Sequence, residues 1–129
     1  MKIAVLIART LLGIVFLVFG LNFFFHFMSS PPPTGVAAEF TGGLFKAGYF
    51  FRYMKVIEVT SGLFLLINRY TAFFVLFIFP VTLNIFLYHA FLLPSGLVIA
   101  LPMLLINLFL GYAYRSYYSG IFTYAPVAG

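Results

Sequence analysis

Four long apolar stretches, each interrupted by a few polar residues, make up most of the chain. The first runs from Ile3 to Phe27 and is broken only by Arg9, Thr10, Asn22 and His26. At ~1.5 Å per residue it covers about 37 Å, more than the ~30 Å hydrocarbon core of a bilayer. It ends in Phe23-Phe24-Phe25-His26-Phe27-Met28 rather than in small residues, so it reads as a retained helix and not a signal peptide. The second stretch, Tyr49 to Ile67, is polar in its first half (Arg52, Lys55, Glu58) and apolar from Leu63 onward. The third, Thr71 to Leu93, contains Pro80 and Asn84; the fourth, Leu97 to about Tyr114, contains Pro102 and Asn107. Nothing alternates with period two, and only helices or closed barrels satisfy their backbone in lipid. The links Asn68-Arg69-Tyr70 and Pro94-Ser95-Gly96 are short enough to force antiparallel neighbours. The pattern predicts an all-α integral membrane four-helix bundle. It forms a single transmembrane domain over residues 1–129, with helices near 3–27, 49–67, 71–93 and 97–115.

The longest link, residues 28–48, is expected on the outer side. Pro31-Pro32-Pro33 is a stiff extended piece. After it, Thr34 is placed to cap a short helix from Gly35 to about Lys46. Phe40, Leu44 and Phe45 give that helix an apolar side suited to the membrane interface.

Composition narrows the class. The chain is 64% hydrophobic and 7% charged, against about 45–50% and about 25% in soluble domains, which excludes a water-soluble globule. The net charge of +5 does not point to nucleic acid. That reading needs a clustered basic patch, and Lys2, Arg9, Lys46, Arg52, Lys55, Arg69 and Arg115 are scattered singly. They act instead as topology determinants. With the N-terminus inside, Lys2, Arg9, Arg69 and Arg115 face the cytoplasm, against Lys46 and Arg52 outside, so N-in and C-in is expected. The absence of Cys removes thiolate nucleophiles, iron–sulfur clusters and Cys-based zinc sites.

Charges inside a span are costly and mark functional or structural sites. On a helical wheel Phe51, Lys55, Glu58 and Gly62 share one face, and Lys55 and Glu58 can pair at a spacing of three. Depth counting brings Arg9 and Asn107 to a similar level. Arg9, Lys55, Glu58 and Asn107 are therefore expected as one buried polar cluster, serving either as a register-fixing network or as a ligand or proton site. Arg9 shares a face with Gly13, Phe16 and Gly20, as Asn107 does with Ala100 and Gly111; small residues in such stripes let helices pack closely. Asn22, His26, Asn84, Tyr88 and His89 are expected near the outer surface as a ligand pocket, with Asn22, His26 and Lys55 on one side and Asn84 and Tyr88 opposite. Two histidines on different helices are a sparse basis for haem, and no bound metal is expected. No Ser–His–Asp set, phosphate loop, paired carboxylates or H-E-x-x-H is present, so an independent active site is not expected.

Three segments resemble the DoxX-like family of small four-helix membrane proteins. They are Arg9-Thr-Leu-Leu12-Gly13-Ile-Val-Phe16 with Gly20; Lys55-Val-Ile-Glu58-Val-Thr-Ser-Gly62-Leu-Phe-Leu-Leu66 with Arg69; and Asn84 with Phe86 to His89, followed by Pro94-Ser95-Gly96. Named members of that family are linked to thiosulfate:quinone oxidoreductase and to other membrane redox or oxidative-stress assemblies. The resemblance implies a bacterial inner-membrane location and an association with quinone, and it supplies no catalytic residue. Three roles follow: an accessory subunit of a larger membrane complex, redox or otherwise, without chemistry of its own; a quinone- or lipid-binding redox component; or a small transporter or proton path through Glu58. The expected partners are membrane lipid and other membrane subunits or further copies of the chain. A quinone or lipid is the ligand the polar groups suit.

Overall fold

In the computed structural model, which describes all 129 residues, the regular structure is entirely helical. The helices are α1 (Lys2–Phe25), α2 (Gly35–Lys46), α3 (Phe50–Leu66), α4 (Thr71–Phe91) and α5 (Leu97–Ala113). Short 3-10 turns follow at Pro94–Gly96 and Arg115–Tyr118. Three helical segments, Lys2–Phe25, Thr71–Phe91 and Pro94–Ala113, are long and apolar enough to cross a membrane. Helix α3 has 17 residues and reaches about 25 Å, short of the ~30 Å core, and it carries Arg52, Lys55 and Glu58.

Helices α1, α3, α4 and α5 pack in cyclic order, α1 on α3, α3 on α4, α4 on α5 and α5 on α1, while α2 leans on α3. One apolar core joins all four, through Leu12 and Phe16 of α1, Leu65 of α3, Val75 and Ile78 of α4, and Met103 and Leu110 of α5. Only 22 of the 129 residues are buried. The outward faces carry Ile7, Leu11 and Ile14 on α1 and Val98, Leu105 and Leu108 on α5. An apolar exterior of that extent needs lipid or protein against it.

The contact between α1 and α3 explains why these helices carry glycines. They run antiparallel, so Arg9 lies beside Leu65 and Leu66, Gly13 beside Gly62, and Gly20 beside Val59 and Lys55. A Cβ on Gly62 would lie 2.6 Å from the Leu17 backbone nitrogen and 2.8 Å from the Gly13 carbonyl oxygen. The two backbones therefore touch, and only glycine permits it.

The turns differ in detail from expectation. Thr34 stands at the N-cap of α2, but its hydroxyl makes no capping hydrogen bond. Helix α1 closes at His26, a left-handed residue (φ 53°) whose N–H donates to the Asn22 carbonyl. Between α3 and α4, Asn68 (φ 54°) and Tyr70 (φ 53°) are both left-handed. Asn68 Oδ1 accepts from the Thr71 hydroxyl at 2.7 Å, which ties the turn to the first residue of α4.

Candidate functional site

Helix α3 presents Lys55 and Glu58 to the interior. The Lys55 Nζ donates to Glu58 Oε1 at 3.2 Å, and Glu58 is almost fully buried while Lys55 retains about a fifth of its side-chain exposure (21%). Two cavities meet at this pair. A smaller one, of about 140 Å³, lies between α2, α3 and α4 and is lined by Phe40, Thr41, Asn84 and Tyr88 as well as the pair. A larger one, of about 350 Å³, opens between α1, α4 and α5 past Phe16, Phe19, Ala100 and Met103. Lys55, Glu58, Ile85 and His89 line both. A volume of that size, mostly apolar with a few convergent polar groups, is the ordinary build of a small-molecule pocket.

His89 is held by its surroundings. Its Nδ1 lies 3.2 Å from the Leu93 carbonyl oxygen. A carbonyl only accepts, so Nδ1 is the donor in this bond and Nε2 is left free for another partner. The ring rests on Gly96, where a Cβ would collide with Nδ1. Tyr88 packs edge-on against His89 at 5.0 Å and in a tilted arrangement against Phe40 of α2 at 5.8 Å between ring centroids. Helix α2 thus roofs the smaller cavity through one aromatic contact. Phe45 beside Phe51, at 4.4 Å, fixes its other end.

The residues singled out from the sequence separate into distinct places. Asn84, Tyr88 and His89 line the smaller cavity together with Lys55 and Glu58. Asn22 and His26 do not line either cavity. The Asn22 side chain accepts from the Met28 N–H at 2.7 Å, and His26 is exposed, so both serve the end of α1.

Arg9, Glu58 and Asn107 do not form one cluster. The Arg9 Nη1 donates to the carbonyls of Leu65 and, at 3.1 Å, Leu66, two of the carbonyls that a helix end leaves without intrahelical partners. The antiparallel register sets Arg9 seven residues, or about 10 Å, beyond Glu58 along α3. Asn107 belongs to a third site. Its Nδ2 donates to the Val75 carbonyl at 3.2 Å, and its Oδ1 accepts from the Thr82 hydroxyl at 2.7 Å. This neutral network joins α5 to α4.

Sequence reasoning missed Thr41, which reaches the cavity from α2, and Gly96, whose bare backbone makes room for His89. It also passed over Ser61, whose buried hydroxyl has no partner. No three His or acidic side chains converge in an arrangement that could hold a metal ion.

A family model for DoxX matches residues 4–90, well over half of the chain. The chain belongs to the DoxX family. No curated protein and no solved structure matches it. The DoxX match spans α1 to α4, with Arg9, the Gly13–Gly62 contact, the Lys55–Glu58 pair, Asn84, Tyr88 and His89 inside it. Gly96 and Asn107 lie beyond it.

Proposed function

We propose that this DoxX-family membrane protein crosses the bacterial inner membrane four times, with both termini in the cytoplasm and α2 lying at the outer interface. In this reading it is an accessory subunit of a larger membrane assembly, redox assemblies included. It holds an amphipathic headgroup, a quinone or a lipid, and lacks a complete active site of its own. The excess of basic residues at the end with Lys2, Arg9, Arg69 and Arg115 supports the orientation. Helix α3 is short for a span, but it packs between α1 and α4, so its polar face is turned from lipid.

The observation that carries the reading is the meeting of two cavities at Lys55–Glu58 beside His89. Lys55 and His89 offer polar partners to a headgroup, while Phe40, Phe16 and Met103 supply apolar walls. Quinone carbonyls and lipid esters both accept hydrogen bonds of the kind Lys55 can donate.

Native mass spectrometry of the protein released from mild detergent tests this. The expected spectrum shows a retained quinone or lipid together with a partner subunit, and the ligand is lost in Lys55→Met. Wild-type protein that emerges bare and alone, and whose melting temperature is unmoved by an added short-chain quinone or lipid, would overturn the reading.

A further inference from the structure

We infer a second site, at the end of the molecule away from α2, that takes the phosphate of an anionic headgroup. A cavity of about 440 Å³ there is lined by Lys2, Arg9, Asn68, Tyr112 and Arg115, and apolar residues of α1 complete its wall. Three of these side chains are cations. The chain has two acidic side chains. Glu58 is paired with Lys55, and Glu39 lies in α2, so neither balances the charge at this end.

Arg9 is the decisive member. It is nine-tenths buried (9% exposed), and its hydrogen bonds go from Nη1 alone to two neutral carbonyls. Its Nε and Nη2 donors have no protein hydrogen-bond partner, and Arg9 is one of the residues that line the cavity. A buried guanidinium without a counter-charge is costly unless an anion completes it, and its planar fork suits phosphate. Arg115 is already oriented. Its Nη1 donates to the Tyr112 carbonyl at 2.8 Å, and its guanidinium sits 4.0 Å from the centre of the Tyr112 ring, a cation–π arrangement. Asn68 adds a neutral polar group at the rim. Basic pockets between membrane helices are where anionic lipid headgroups lodge. The site is independent of the Lys55–Glu58 cavity, and substitutions at Lys55 leave it intact.

The test uses delipidated full-length protein in a neutral detergent. Phosphatidylglycerol, phosphatidylcholine or inorganic phosphate is added, and melting temperature and lipid retention by native mass spectrometry are read. Phosphatidylglycerol is expected to raise the melting temperature and to be retained, and phosphatidylcholine is not. Each basic residue near an anionic surface is worth about a fivefold change in affinity, so Lys2→Gln with Arg115→Gln should weaken retention about 25-fold. Lys46→Gln with Arg52→Gln removes equal charge at the opposite end of the molecule and should leave retention within about twofold. Stabilisation by inorganic phosphate that the Lys2/Arg115 variant loses assigns the site to free phosphate, with the same chemistry. Equal effects of the two lipids with no phosphate response, or equal losses in the two double variants, would overturn the site. Both double variants change exposed residues, and Arg9→Lys, which keeps the charge but not the fork, supplies a further comparison if Arg9→Gln fails to fold.

Discussion

The two halves of α3 are built on opposite plans. Its C-terminal half offers Gly62 to Gly13 of α1, and backbone meets backbone without room for a methyl group. Its N-terminal half offers Lys55 and Glu58 to a pair of cavities. The glycine contact has no charged group to satisfy and gains dispersion from close approach. The other half gives up packing and holds a charge pair that is costly to bury and weak as a source of stability. Tight packing at one level of a helix lets the next level remain loosely packed and chemically loaded. That division is what a binding site on a small scaffold needs.

The largest expected effect comes from filling the tight half. Gly62→Val should cost about 3 kcal/mol, the upper part of the range for overpacking, because backbone atoms rather than a movable side chain stand in the way. Thermal unfolding in detergent measures it. A variant as stable as wild type would mean that α1 and α3 are not in backbone contact.

Next comes the loaded half. Breaking a buried pair typically costs ~3–5 kcal/mol, and the part exposure of Lys55 reduces that to about 2 kcal/mol for Lys55→Met. Glu58→Gln should be better tolerated than Glu58→Leu, since the amide oxygen still accepts from Lys55. Adding Glu58→Leu to Lys55→Met should recover part of the loss. Strict additivity in the double-mutant cycle would show that the two residues are not coupled.

A smaller effect is expected at the neutral network. Asn107→Leu removes the bonds to Val75 and Thr82, and interhelical hydrogen bonds in membrane proteins average ~0.6 kcal/mol each, so about 1 kcal/mol should be lost. The Thr82 hydroxyl keeps a fallback in the Ile78 carbonyl at 3.3 Å, which limits the damage. A loss above that of Lys55→Met would reverse the ranking of the two polar sites.

The helical class, the antiparallel order and α2 from Gly35 to Lys46 were legible in the sequence, because hydrophobic run length and short links determine them. The Lys55–Glu58 pair was legible because a spacing of three is a local property of one helix. Arg9 was misplaced because its neighbours depend on the axial register of α1 against α3, which the Gly13–Gly62 contact sets and residue counting from helix ends does not. Asn22 and His26 misled for a related reason. Depth alone suggested a pocket, whereas the left-handed turn at His26 turns both residues to the end of α1. Gly96 was invisible as a site determinant, because a Pro-Ser-Gly link reads as a turn and says nothing of a ring lying across it.

The smallest expected effect lies after α5 and probes a contact that ties the C-terminal segment to the bundle. Tyr118 is nearly buried, and its hydroxyl donates to the Ala72 carbonyl at 2.7 Å. Tyr118→Phe keeps the ring and removes that bond, so roughly 0.5–1 kcal/mol should be lost. Burial, reinforced by the neighbouring Tyr114, also pushes the Tyr118 hydroxyl above the usual tyrosine value, which is about 10. A group whose pKa is raised on folding holds its proton longer in the folded state. Its contribution to stability is therefore complete below the unfolded value and is lost as pH rises from about 10 through the folded one. Melting curves between neutral and strongly alkaline pH should show the gap between wild type and Tyr118→Phe closing over that window. A gap that stays constant through the window would mean that the hydroxyl is solvated, and that the chain beyond α5 is not fastened to Ala72 at the start of α4.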